Sequence, residues 1–471
     1  MADADLIVVG GGAAGLLAAR EARRRGASVT MVQRGPPGGD CTFTGCVPSK
    51  ALLAASGRGA SFAEAMAAVR SVVARIAATE DAAALACEGV TVVDGTARFV
   101  DRRTIDVDGR RLRARRFVVA TGARPSLPPV PGLADADPLT SENIFELAAA
   151  PRSLAVLGAG PIGVELASAL ARLGVEVTLF EGLERILPRE EPAASSVVAG
   201  VLARSGVRLR PSCSVSEVER VGAGSLLVHG AHGGPVPAEA VLVAGGRAPA
   251  GAGFGLEEIG VELNGRGAIV VDDTMATTVP GIWAAGDVVG RAQFTHAAAR
   301  MGWVAAANAL SRTARVRRFR FSERVLPRAI FTTPEVGRVG LLESEAVQRH
   351  PGSRVAFLPL SHVDRAIATG AEDGFVKLIA GPRPGLRGLA GGRLLGATVV
   401  APTGGDLVHE VALGMQTGMF TGRLVQTTHA YPTWSSAIQQ AALQFFGMAS
   451  GLTARPAGTD PADDVVRLAA F

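Results

Sequence analysis

Residues 6–15 read Leu-Ile-Val-Val-Gly10-Gly-Gly12-Ala-Ala-Gly15, an apolar strand running straight into a Gly-x-Gly-x-x-Gly turn. A helical run over residues 16–25 and a second strand over 28–33 follow. Strand, glycine turn, helix, strand is the spacing of a dinucleotide-binding βαβ unit. Its glycines permit the tight turn and let the helix N-terminus face a pyrophosphate. The pattern returns at Ser153-Leu-Ala-Val-Leu157 and Gly158-Ala-Gly160-Pro-Ile-Gly163, with a helix over 164–173 and a strand over 176–181. Two such units in one chain predict an α/β fold that holds two dinucleotides, the arrangement needed to move electrons from one to the other.

The residue closing each second strand is placed to meet an adenosine ribose. In the second unit it is Glu181, 23 residues after Gly158. A carboxylate bonds both ribose hydroxyls and repels a 2′-phosphate, which favours NADH over NADPH; the neighbouring Arg185 works the other way. The same offset from Gly10 gives Gln33, whose amide bonds a hydroxyl without charge assistance and predicts looser binding.

A length of 471 residues with 48% hydrophobic content supports two to four domains. The net charge of +5 is small, and the basic runs at 23–25, 110–116 and 315–320 lack interleaved aromatics, so nucleic acid is not the expected partner. With no signal sequence pattern and no apolar run of membrane length, a soluble cytoplasmic protein is expected.

Four cysteines occur, and two stand close together in Gly38-Gly-Asp-Cys41-Thr-Phe-Thr-Gly-Cys46-Val-Pro-Ser-Lys50. They read either as a redox pair or as two half-buried thiols. On a regular helix their spacing corresponds to a rise of about 7.5 Å, beyond the reach of a disulfide, whose Cα atoms lie within about 7 Å. A redox pair therefore requires a distorted turn at a helix start, with Gly45 and Pro48 suited to the bend. In a reducing cytosol such a disulfide is catalytic rather than structural. Cys87 and Cys213 are isolated and read as core residues. Lys50 and Lys377 are the only lysines in an arginine-rich chain, which marks position 50 as one needing a compact ammonium.

With the cysteine segment in place, the chain resembles the flavoprotein pyridine nucleotide–disulfide oxidoreductases, the group of lipoamide dehydrogenase, glutathione reductase and mercuric reductase. The landmarks occur in order. After the first glycine turn and the cysteines come Ala120-Thr121-Gly122-Ala-Arg-Pro125, the second glycine turn, and Gly245-Gly246-Arg247-x-Pro249. Ala284-Ala-Gly286-Asp287 and Phe331-Thr-Thr-Pro-Glu335 complete the set. The resemblance implies two Rossmann-like domains, for FAD and NAD(P), and an α+β C-terminal dimerisation domain. The expected limits are 1–150 for the first part of the FAD domain, 151–284 for the NAD(P) domain, 285–326 for a central FAD segment and 327–471 for the interface domain. It further implies a homodimer with the acceptor site built across the interface. Gly10, Gly12, Gly15, Gln33, Thr121, Gly122, Gly286 and Asp287 would serve FAD. Gly158, Gly160, Gly163, Glu181, Gly246 and Arg247 would serve the nicotinamide nucleotide. Cys46 would face the flavin, Cys41 would be the exchange thiol, and Lys50 and Glu165 would pair beside the flavin N5.

The chain departs from that pattern near its end. The family's thiol–disulfide enzymes carry a His-Pro pair with a glutamate five residues after the histidine, contributed by the partner subunit as the acid–base couple. Here the segment is His429-Ala-Tyr431-Pro-Thr-Trp-Ser-Ser436, so Tyr431 and Ser436 take those positions. A phenol with a pKa near 10 is a poor base at neutral pH, and His429 is displaced by about 6.5 Å along an extended strand. Small disulfides are therefore not the expected acceptors. Mercuric reductases also lack the histidine, and the stretch His362-Val-Asp-Arg-Ala366 resembles that branch. Those enzymes deliver Hg(II) through a C-terminal cysteine pair, whereas this chain has no cysteine after Cys213 and no metal-binding domain is expected ahead of its FAD unit. The expectation is an FAD-dependent NAD(P)H oxidoreductase with an acceptor left open among a quinone, a metal ion and an unusual disulfide. Tyr431 would contact that acceptor or donate a proton to it. Mercuric reduction, a lipoamide-dehydrogenase activity and a slow flavin redox sensor are the alternatives. The tail after about Ser450 carries no clear signal.

Overall fold

The computed structural model describes residues 3–222, 224–311, 319–382, 391–459 and Asp464. Most of the basic run at 315–320 and most of the last twelve residues lie outside that set. The chain forms two compact units, one of residues 1–151 with 240–323 and the other of residues 152–239 with 324–471.

In the first unit, five parallel strands lie in the order Ile282–Ala284, Phe117–Val119, Leu6–Val9, Val29–Gln33, Val90–Asp94. Leu6–Val9 is buried along its whole length, as an interior parallel strand covered on both faces must be. The helix α1 (Ala13–Arg24) follows the first glycine turn. It lies so close to the Thr295–Ala309 helix that a Cβ on Gly302 would stand 2.0 Å from the Ala14 carbonyl oxygen. Further along, α2 (Gly39–Phe43) and α3 (Cys46–Gly57) flank a break, and α4 (Phe62–Ala77) opens with a capping box of Ser61 and Glu64.

The second unit contains three parallel strands, Ser153–Leu157, Glu176–Phe180 and Arg208–Arg210, with the Pro161–Arg172 helix after the second glycine turn. It also contains an antiparallel six-stranded sheet in the order Arg328–Ile330, Glu335–Gly340, Arg393–Ala401, Phe375–Gly381, Arg354–Pro359, Arg455–Pro456. The last of these strands shows that the segment after Ser450 returns to the sheet edge. Val376, Leu378, Val399, Val408, Val411 and Ile438 pack into its core with the Gly404–Gln416 and Ser436–Leu443 helices.

Lys377 sits at the middle of this sheet, 1% exposed, among three carboxylates. Its Nζ is 3.0 Å from Glu191, 2.6 Å from Glu343 and 3.0 Å from Asp464. Arg455 adds bonds to Glu343 (2.9 Å) and Asp464 (2.8 Å). Burial pushes the Glu343 carboxyl up, but the Arg455 bonds and the Lys377 charge outweigh it and leave its pKa at about 2. The cluster joins Glu191, at the head of the Pro192–Arg204 helix, to the sheet and to the chain's last described residue.

Two outcomes follow. Lys377→Met leaves buried carboxylates uncompensated and should cost about 3–5 kcal/mol in a denaturant titration. A carboxyl held below its unfolded value of about 4.3 contributes stability above that pH and loses it as pH falls toward 2. Without Lys377 burial raises that folded-state pKa, so the loss of stability between about pH 4.3 and 2 should be smaller in a thermal-stability profile of Lys377→Met than in that of the wild type.

Candidate active site

The two glycine turns have the same geometry. Gly10 and Gly158 both adopt φ of +104°. A Cβ on Gly10 would meet the Ala120 oxygen at 2.3 Å, and one on Gly15 would meet the Gly10 oxygen at 1.9 Å. Gln33 Oε1 accepts from the Gly11 N–H at 2.6 Å, and Glu181 Oε2 accepts from the Ala159 N–H at 3.0 Å, so both strand-end residues brace their turns alike. Gly12 and Gly160 stand at the N-caps of α1 and the Pro161–Arg172 helix, without a side-chain cap or an acid in either first turn. Open space faces the Cβ position of Gly160, and Gly163 is buried within its helix. Uncapped N–H groups behind a side-chain-free turn fit an anionic diphosphate. The Arg185 guanidinium is bonded to the carbonyls of Leu187, Pro188 and Glu190 and to Ser195 Oγ, not directed at Glu181.

The cysteine turn hangs from the first glycine turn. Gly38 N–H donates to the Gly11 carbonyl at 2.8 Å. Gly39, at φ +63°, approaches so closely that a Cβ there would lie 2.7 Å from Gly12 Cα. Cys41 belongs to α2, and Cys46 is the first residue of α3. The expected distortion is thus a complete break at Thr44 and Gly45, and Gly45 approaches the Asp40 carbonyl at 2.8 Å from its Cβ position. Pro48 plays no part in the break, because it sits inside the first turn of α3, where it is tolerated. The pair is in the dithiol form. A hydrogen bond with Cys46 pushes the Cys41 thiol up, and burial adds to it. Cys46 Sγ lies 3.2 Å from Thr295 Oγ1 at the head of the Thr295–Ala309 helix.

Arg247 gathers two acids of this unit. It donates to the Ala123 carbonyl at 2.8 Å, pairs with Asp40, and has its Nε 3.6 Å from Asp287 Oδ2. Burial pushes Asp287 up to about 6 despite that cation, with Asp40 and Cys46 adding to the rise. Thr121 Oγ1 donates to the Ala250 carbonyl at 2.7 Å. Gly122, Gly246 and Gly286 all take positive φ, in keeping with close turns. Lys50 Nζ lies 3.3 Å from Ser49 Oγ.

In the second unit, Glu165 Oε1 accepts the Phe331 N–H at 2.9 Å. Tyr431 is 74% exposed and donates its phenol to Asp364 Oδ2 at 2.8 Å. That bond holds the phenol above its ordinary pKa. Ser436 donates to the Thr433 carbonyl at 2.7 Å. His429 faces the Thr427 carbonyl with Nδ1 and Glu410 with Nε2, both at 2.9 Å, so both ring nitrogens are engaged. Cys213 is buried as expected. Cys87 is not a core residue: it is exposed, because of the Ala82–Cys87 helix only Leu85 turns fully inward.

Family comparison fits this geometry. The model of the pyridine nucleotide-disulphide oxidoreductases matches residues 4–302, and that of their dimerisation domain matches 326–442. The chain belongs to the pyridine nucleotide-disulphide oxidoreductase family. It is an FAD-dependent oxidoreductase of α/β architecture, and its family uses FAD with NAD(P)H. It is 35% identical to a mercuric reductase of Streptomyces lividans over 466 residues, covering 94% of this chain and 96% of that protein. It is 32% identical to a dihydrolipoyl dehydrogenase of Thermus scotoductus, covering 93% and 96%. Its structure is similar to the Cu(II) complex of the HOCl-induced flavoprotein disulfide reductase RclA from Escherichia coli. The TM-score is 0.83 at 28% identity, over 92% and 98% of the two chains. The dimerisation domain points to a homodimer. Among the described residues, no helix is long and apolar enough to cross a membrane.

Thr295, Asp40, Asp364 and Glu410 were not singled out from the sequence. Asp364 lies within the noted 362–366 stretch, but nothing in its spacing gives it Tyr431 as a partner. Because Tyr431 is the sole tyrosine, its ionisation can be followed directly. An ultraviolet titration should place the wild-type phenol above 10, and Asp364→Asn should return it to about 10.

Proposed function

We propose that this oxidoreductase delivers electrons from NAD(P)H to a soft or redox-active metal cation at the Cys41–Cys46 pair. The observation that carries this reading is that, among the described residues, the positions of the family's acid–base couple hold no usable base for a dissolved disulfide. Tyr431 holds its proton against Asp364, Ser436 is a hydroxyl, and His429 has both nitrogens bonded. Thiol–disulfide exchange requires a proton to leave the attacking thiol and another to reach the departing one. A soft cation removes the second of these, since no thiol departs; the thiol that binds it still gives up its proton, to water. The mercuric reductase relatives and the Cu(II) complex of RclA support a metal acceptor.

Gly10, Gly12, Gly15, Gln33, Thr121, Gly122, Gly286 and Asp287 would hold FAD. Gly158, Gly160, Gly163, Glu181, Gly246 and Arg247 would hold the nicotinamide nucleotide. Glu181 together with the diverted Arg185 favours NADH. When bound, the flavin supplies a two-electron relay between the nicotinamide and the sulfur pair. Cys46 is the flavin-side thiol, supported by its bond to Thr295, and Cys41 meets the acceptor. Closing the disulfide releases two electrons, which balance one Hg(II) reduced to Hg(0) or two Cu(II) reduced to Cu(I). Lys50 and Glu165 are assigned to the flavin side. Tyr431 would come from the partner subunit, with its phenol aimed by Asp364.

An acceptor screen tests the reading. Hg(II) and Cu(II) should be reduced with NADH, Cys41→Ser should lose at least about 100-fold in kcat/KM, and Tyr431→Phe should raise KM for the metal. Higher kcat/KM with lipoamide, glutathione disulfide or a quinone than with either metal would overturn it. An anaerobic NADH titration should reduce both the flavin and the disulfide. Flavin that stays oxidised would instead favour a redox sensor.

A further inference from the structure

We infer that Arg185 is a positioning residue for the nicotinamide nucleotide: it holds the loop after Glu181 folded so that Leu187 closes the Ala159 carbonyl and fixes the second glycine turn. The inference rests on the assignment of that turn to the nicotinamide nucleotide. It adds a residue that acts through the backbone, without touching the ligand.

An irregular stretch, residues 181–191, joins the Glu176–Phe180 strand to the Pro192–Arg204 helix. Ala159, between Gly158 and Gly160, is fully buried, and this stretch answers both of its backbone groups. Glu181 Oε2 accepts the Ala159 N–H at 3.0 Å, and the Leu187 N–H donates to the Ala159 carbonyl at 2.9 Å. Glu181 Oε1 also accepts the Leu183 N–H at 3.0 Å, which fastens the start of the loop.

Leu187 makes its bond from a conformation that L residues avoid. Its φ is +47°, and its side chain is 1% exposed. A bulky residue persists in the left-handed region only where its surroundings over-determine it. Arg185 is the main restraint. Its Nη1 donates to the carbonyls of Leu187 at 3.2 Å and Glu190 at 2.9 Å and to Ser195 Oγ at 2.7 Å, and its Nη2 donates to the Pro188 carbonyl at 3.0 Å. Ser195, buried in the Pro192–Arg204 helix, donates in turn to the Leu187 carbonyl at 3.2 Å, and the Glu190 N–H reaches the same oxygen at 3.0 Å. One planar fork thus clamps three carbonyls of the loop against the helix. All four acceptors are neutral oxygens, so the guanidinium charge strengthens each bond.

The path from Arg185 to the ligand is short. Arg185 sets Leu187, Leu187 holds Ala159, and Ala159 precedes Gly160, the N-cap of the Pro161–Arg172 helix. A turn held in its bound form receives a diphosphate without an ordering cost. Since NADH and NADPH share that diphosphate, loss of Arg185 should weaken both alike, whereas a residue that met the 2′-phosphate would matter for NADPH alone.

The test uses the FAD-loaded protein. The Kd of ADP-ribose is measured by calorimetry, and kcat and KM for NADH and NADPH are measured with ferricyanide as acceptor. Arg185→Met should raise the ADP-ribose Kd about tenfold, equivalent to one charge-assisted hydrogen bond. It should raise both KM values by the same factor at unchanged kcat and flavin content. Arg185→Lys keeps the charge without the fork and should behave like Arg185→Met. Ser195→Ala should raise the Kd about threefold, the lower end of a hydrogen bond's effect, and should add less than that on top of Arg185→Met. An unchanged ADP-ribose Kd in Arg185→Met, a loss confined to NADPH, or full rescue by lysine would overturn the inference. Where Arg185→Met does not fold, an unchanged Kd in Ser195→Ala overturns it equally. Gly160→Asp, which sets a carboxylate against the expected diphosphate, separates the two failures. If it abolishes ADP-ribose binding while Arg185→Met has no effect, only the role of Arg185 falls; if neither variant matters, the assignment of the turn falls with it.

Discussion

Gly12 and Gly39 approach so closely that Gly39 has no room for a side chain: a Cβ on it would lie 2.7 Å from Gly12 Cα. The Gly38 N–H bond to the Gly11 carbonyl closes the same junction. The consequence is geometric. The turn suited to a dinucleotide diphosphate and the turn bearing Cys41 become one rigid piece, so the thiol pair is set relative to that turn by backbone contact rather than by mobile side chains. The break at Thr44 and Gly45 then starts a new helix at Cys46 and brings its sulfur beside Cys41. Thr295 completes the arrangement from the helix that also clasps α1 through Gly302.

Charge is handled differently in the two units. Around the thiols, Arg247 sits between Asp40 and Asp287, and Thr42 donates its hydroxyl to Glu80. In the second unit a buried lysine gathers three carboxylates and is reinforced by Arg455. The first arrangement lies at a partly exposed edge beside the thiols. The second is a structural anchor, since removal of Lys377 would leave three buried carboxylates to share the Arg455 cation. The compact ammonium that the sequence appeared to reserve at position 50 thus has a counterpart at 377 with an architectural task.

Near the chain's end the replaced acid–base couple is not a gap filled by the nearest histidine. His429 is bound at both nitrogens, and Tyr431 is turned to Asp364 with its proton retained. Each side chain has a defined partner, which makes the segment a built surface with a different chemistry from a proton-shuttling one.

Much of the fold was legible because its signals are local. Glycine turns flanked by apolar strands announce two nucleotide units, since the backbone approach at Gly10 and Gly15 admits no other residue. The cysteine spacing demanded a helix break, and one exists, with Gly45 rather than Pro48 responsible. What the sequence by itself determined was the two-nucleotide architecture, the presence of the dithiol and the loss of the usual base. Tertiary structure alone decided that Cys87 faces solvent, that Arg185 turns to backbone carbonyls, that Asp364 holds Tyr431 and that Thr42 bonds Glu80. The physical reason is range: a turn or a strand is dictated by neighbours in the chain, whereas hydrogen bonds between residues 38 or 67 positions apart depend on where the packed elements place them.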